Sequence, residues 1–212
     1  MKVISVNVGR PAELMWKGTT MRSSIVKTPV EGPVAVRGIN LEGDQQSDLD
    51  VHGGPNKSLY AYPSEYYAWW KQQMPALAYP RGAFGENLTT EGLLDENAYI
   101  GDTLRVGTAL LKITQPRMPC SKLQFRFQND DVLPAFVRGG RHGCYFAILE
   151  PGEVGAGDAI DIVDRDPGMI SIADVVAVYY RRTNDRDLQE RVVNFKGLPL
   201  ELRLNLAMRA AR

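Results

Sequence analysis

The chain is poor in cysteine: its 212 residues contain two, Cys120 and Cys144. Two cysteines do not make a disulfide framework, and without a C-x-x-C pair there is no structural zinc signature. Long apolar runs are also missing. No stretch approaches the roughly 18 apolar residues of a membrane-spanning helix. The opening run MKVISVNVGR is too short in apolar residues for a secretory signal. Charge of one sign is not in excess either, because 25 Lys and Arg balance 25 Asp and Glu. That removes the broad field expected of a protein that binds a nucleic acid polymer or an anionic membrane, and leaves room for a local basic pocket. The expected setting is a reducing cytoplasm with both thiols free.

What is present reads as mainly β with α, an α+β chain. Short strands are expected at residues 3–8, 58–62, 104–106, 109–114, 144–149 and 159–163, broken by Gly and Pro. Gly107-Thr108 separates two of them as a hairpin turn. Many short strands with frequent turns predict a closed or nearly closed β-barrel. Helices are expected at 64–73, behind an N-cap at Ser64 and before Pro75, and at 129–138, ending at Gly139-Gly140. Composition changes after Asp166-Pro-Gly168. Ser171-x-x-Asp174 opens an apolar-periodic helix, 187–195 reads as a second, and Pro199 opens a third with Leu200, Leu204 and Met208 at helical spacing. The expected division is a β-barrel domain over 1–166 and a three-helix appendage over 167–212.

Four clusters could carry chemistry. In QPRMPCSKL, Pro116 and Pro119 fix φ and remove backbone donors, so the segment leaves its strand as a stiff loop. Arg117 and Lys122 lie near Cys120, and a nearby cation favours the thiolate, the form that attacks or ligates a metal. The plainer reading is a buried free cysteine, which is how Cys144 also reads at the head of its apolar run. The second cluster joins Gly43-Asp44 and Asp48 to His52-Gly53-Gly54-Pro55-Asn56-Lys57. Its glycines allow close approach of a ligand, and Lys57 adds a point charge suited to phosphate. A hairpin turn with a surface lysine explains the same residues. In Phe84-Gly-Glu86-Asn87, a structural turn is the simpler reading for Glu86. In Arg138-Gly-Gly-Arg141-His142-Gly143, the arginines suit phosphate, and a helix C-cap with solvated cations suits the pattern equally. There is no Ser-His-Asp arrangement and no P-loop motif. A soft ligand beside phosphate-competent positions fits a phosphorylated cofactor that carries a thiophilic metal.

The runs LEGDQQSDLDVHGGPNKSLYAYP, FGENLTTEGL, IGDTLRVG and ITQPRMPCSKL resemble the MOSC domain family in its YiiM-like branch, over nearly the whole chain. The resemblance implies a β-barrel core followed by a three-helix C-terminal domain. It implies a molybdenum cofactor, with Cys120 as the metal ligand, and reduction of N-hydroxylated compounds such as N-hydroxylated base analogues, a detoxifying activity. It implies electrons from a separate flavin or iron–sulfur reductase. On that resemblance Lys57, Arg117, Arg138 and Arg141 are the expected phosphate contacts, and Asn87 and Gln115 are amide contacts to the pterin. Cys120 and His52 are the catalytic candidates, His52 passing a proton or only orienting its loop. A sulfur carrier using a Cys120 persulfide, and a non-catalytic pterin-binding module, remain alternatives. The terminal helices offer a docking surface for a reductase or for a second copy in a homodimer, with a packed appendage as the plainer reading.

Overall fold

A computed structural model describes residues 1–47 and 53–210. Its strands are β1 (Lys2–Val8), β2 (Ala12–Trp16), β3 (Thr19–Ser23), β4 (Thr28–Val30), β5 (Val34–Arg37), β6 (Asn40–Leu41), β7 (Leu59–Pro63), β8 (Leu88–Glu91), β9 (Thr103–Val106), β10 (Ala109–Pro116), β11 (Cys144–Glu150), β12 (Gly152–Val154) and β13 (Ile160–Asp164). The helices are α1 (Glu65–Gln73), α2 (Lys122–Phe127), α3 (Val132–Gly139), α4 (Ile172–Tyr179), α5 (Arg186–Asn194) and α6 (Leu200–Ala210). None of the described helices is long and apolar enough to cross a membrane.

Eight strands form one sheet in the order β13-β9-β10-β11-β7-β8-β1-β4, antiparallel except for β7 with β8. The chain passes between those two parallel strands through α1, as a parallel pair requires a crossover. Two smaller sheets, β12-β5-β6 and the hairpin β2-β3, flank it. The mainly β, α+β expectation is met. The barrel is not closed by a full ladder, because β13 and β4 are edge strands that do not pair with each other. Strand β1 explains why. Its second half pairs with β4, while its first half meets the turn before β13 through a single bridge, Lys2 with Ala159. Val3 N–H donates to Asp158 at 2.9 Å, and Gly157 N–H donates to Val3 at 2.8 Å.

The sheet interior buries Leu111 and Ile113 from β10, Cys144 and Phe146 from β11, and Val3 and Val6 from β1. This apolar core continues without a break into Val175 of α4, Val192 of α5 and Leu202 and Leu206 of α6. A second, aromatic core lies between α1, α3 and the sheet, where Trp70, Tyr62, Phe84 and Phe136 meet. Cys144 is buried, as a core residue should be.

Local signals held to different degrees. Ser171 and Asp174 form a reciprocal capping box at the start of α4. Ser64 precedes α1, but its hydroxyl makes no capping bond. The helix expected at 129–138 begins at Val132, and a separate helix, α2, ends at Gln128, which adopts φ +48°. On α6 the row at helical spacing faces outward. Leu200, Leu204 and Met208 are 60%, 55% and 63% exposed, while Leu202 and Leu206 are buried. Both sets are spaced by four residues, so periodicity alone does not choose between them.

Candidate functional site

Strand β10 runs out at Pro116, and residues 117–121 leave the sheet before α2 begins. The prolines on either side of Arg117 and Met118 stiffen this passage. It delivers Cys120, half-buried, to the wall of a cleft. The same cleft is lined by Lys27, Lys57, Arg117 and Lys122, four cations from three separate segments. Asn87 and Asp44 complete its floor.

Arg117 is the most constrained of these cations. It is buried, and its guanidinium sits 5.4 Å from the ring centres of both Tyr60 and Phe136. Its Nη1 has no hydrogen-bond partner within the protein. A buried charged donor left unpaired is costly, so its presence at a cleft wall marks a place for an anion. The Arg117 backbone is fixed from behind. Its carbonyl oxygen accepts from His142 Nδ1 at 2.8 Å, and Asp95 accepts from the backbone N–H groups of His142 and Gly143 at 2.7 and 3.0 Å. Burial pulls the His142 ring down to about 4 and pushes Asp95 up to about 6.

Lys27 is buried against Asp44, which also accepts from Gly9 N–H at 2.7 Å and from Asn87 Nδ2 at 2.8 Å. Burial lowers the Lys27 ammonium, and the Asp44 carboxylate partly restores it. Asn87 lines the cleft, yet its amide is spent within the protein: Oδ1 accepts from Tyr60 N–H at 3.1 Å, and Nδ2 holds Asp44. Glu86 is structural, as the simpler reading had it. Fully buried, it accepts from Tyr67, from Gly82 and Phe84 N–H groups at 2.9 and 3.0 Å, and from Thr89 at 3.0 Å. Gly85 beside it has φ +82°, and a Cβ there would stand 2.8 Å from Ile25 Cγ1.

A second cavity, also lined by Cys120, adjoins the first. Gln115, Pro119 and Tyr145 from the sheet side face Tyr179 of α4 and Glu201 and Asn205 of α6.

The structure thus brings Cys120, Lys57, Arg117 and Asn87 together, and puts Gln115 in the adjoining cavity, where its Nε2 lies 3.5 Å from Asn56 O. Arg138 and Arg141 are placed elsewhere. Arg138 lies in a depression with Trp69 and Asp131, and Arg141 stacks on Trp69 at 4.9 Å and donates to Gly139 O at 2.8 Å. Arg138 is placed by the last turn of α3 and Arg141 by the turn at Gly140 (φ +63°), and neither lines the cleft. His52 and Asp48 lie outside the described residues. Sequence reasoning missed Lys27, Glu201 and Asn205. Lys27 sits in an unremarkable apolar run, IVKTPV, and the two α6 residues belong to a helix read only as packing.

Among the described residues no three His, Cys, Asp or Glu side chains gather to hold a metal ion. A metal at Cys120 therefore calls for ligands from a bound group, and the unpaired Arg117 donor in a cationic cleft suits a group bearing phosphate.

A family model for the MOSC domain matches residues 48–161. Protein YiiM of Escherichia coli strain K12 is 35% identical over 178 residues, 83% of this chain and 79% of that protein. A protein named reductase from Gibberella moniliformis is 33% identical over 168 residues, 78% of this chain but 30% of its own length. The crystal structure of YiiM from Geobacillus stearothermophilus superposes with a TM-score of 0.79 at 32% identity, covering 98% of each chain.

Proposed function

The chain belongs to the MOSC domain family, and from that premise we propose that it is a molybdenum cofactor-dependent reductase of N-hydroxylated compounds. The observation that carries the proposal is the unpaired, buried Nη1 of Arg117 beside the Cys120 thiol. Arg117, with Lys57 and Lys122, would hold the cofactor's phosphate, and Cys120 would ligate its metal. When bound, that cofactor supplies the two-electron chemistry that removes oxygen from an N–OH group.

This chain's own residues do the rest. The Pro116 and Pro119 braces keep Cys120 from moving as the cleft fills. Tyr60 and Phe136 flank the Arg117 guanidinium, so it meets its anion already oriented. The Lys27–Asp44 pair, tied to Asn87 and Gly9, is net neutral and keeps the cleft floor rigid. Electrons would come from a separate flavin or iron–sulfur reductase.

The test is elemental analysis and turnover. Protein made in a host that synthesises the cofactor should retain about one molybdenum per chain and reduce a hydroxylamine with a reduced dye as donor. Retained metal without turnover would leave a pterin-binding module. A persulfide at Cys120 with no metal, seen by intact mass, would leave a sulfur carrier.

A further inference from the structure

We propose that the second cavity is the substrate side of Cys120, and that Glu201 and Asn205 of α6 select neutral or cationic N–H-bearing substrates there. The proposal rests on the reading of the first cleft as the cofactor's.

The thiol stands in a shared wall. Lys57, Met118, Cys120 and Tyr145 line both spaces, so whatever Cys120 holds from one side can be reached from the other. The two spaces are sorted by charge. The first offers four cations, with Asp44 already joined to Lys27. The second offers one carboxylate, two side-chain amides and two phenols, in Glu201, Gln115, Asn205, Tyr145 and Tyr179, with Lys57 alone as a cation. An anionic cofactor is drawn to the first. A planar group with several N–H donors finds an exposed carboxylate, Glu201, in the second, whereas the carboxylate of the first, Asp44, is buried against Lys27.

Helix α6 is built to present those acceptors. Leu202 and Leu206 are buried and pin it to the core, while Glu201 and Asn205, four residues apart, share one face. Glu201 stands 3.9 Å from Lys57 and is 82% exposed, a contact that contributes little to stability. Turning the carboxylate to a ligand therefore costs little.

Cofactor-free protein provides the test, by calorimetry with three probes: benzamidinium as the amidine cation, benzoate as its anionic match, and inorganic phosphate for the cleft. Benzamidinium should bind and slow iodoacetamide alkylation of Cys120, and benzoate should bind at least tenfold more weakly. Glu201→Gln and Asn205→Ala should each weaken benzamidinium at least fivefold, with phosphate affinity and Tm unchanged. Equal benzamidinium binding by wild type and both variants, or none by wild type, overturns the subsite. Loss of phosphate binding alone, with the benzamidinium results intact, overturns the cofactor cleft instead.

Discussion

Nδ1 of His142 lies 2.8 Å from the carbonyl oxygen of Arg117. A carbonyl only accepts, so the ring is the neutral Nδ1–H tautomer, and its Nε2 is buried without a partner. The contact anchors the segment that carries both the guanidinium and the thiol. It also makes folding sensitive to acid.

Burial holds the folded His142 near 4, against 6.5 when exposed. The unfolded chain therefore takes up a proton first as pH falls, and stability present above about 6.5 is lost on the way down to 4, on the order of 3 kcal/mol. Asp95 acts in the opposite sense. Its folded carboxyl, raised by burial to about 6, contributes instability that grows as pH rises from 3.8 through 6. The two therefore offset one another between 4 and 6. Urea midpoints from pH 4 to 7 should fall more steeply with acid in Asp95→Asn, and less steeply than wild type in His142→Gln.

Cys120→Ser should leave unfolding within about 0.5 kcal/mol of wild type, because the side chain is half-buried on a loop. Molybdenum content and turnover should both fall at least a hundredfold. Full metal retention in the variant removes the ligand assignment.

Arg117→Met should separate binding from folding. Replacing a buried charge by a similar apolar volume is often neutral or stabilising. The cofactor-free protein should then stay within about 2 kcal/mol in urea unfolding, while phosphate binding weakens at least tenfold. Unchanged phosphate affinity would exclude Arg117 from the anion site.

Glu86→Ala should cost about 3–5 kcal/mol, since it strands two backbone N–H groups and two hydroxyls in a buried cradle. A loss under 1 kcal/mol in urea unfolding would show the cradle to be dispensable.

The strands that could be read from the sequence were those with β-branched or aromatic runs bounded by Gly or Pro, such as β1, β10 and β11. The β2-β3 hairpin and β5 were missed because their half-exposed residues carry no strong alternation. At the site, the rigid thiol and its neighbour Arg117 were legible because proline leaves a mark that needs no partner. Arg138 and Arg141 lie away from the cleft because both sit beside Trp69, 69 and 72 positions earlier in the chain. Lys27 was invisible because its partner, Asp44, is 17 positions further along the chain. The helical spacing of Leu200, Leu204 and Met208 was legible, but not which way the row faces, because two apolar rows compete on one helix.

The unclosed sheet leaves two rims bare, and each is unsuited to recruiting another chain. On one side β4 is three residues long with Pro29 at its centre, which cannot donate to an incoming strand. On the other, β13 carries Asp161 and Asp164, whose charges would be trapped by any added neighbour. Concentrated preparations should therefore resist fibre growth by strand addition, even though the barrel stops short of sealing itself.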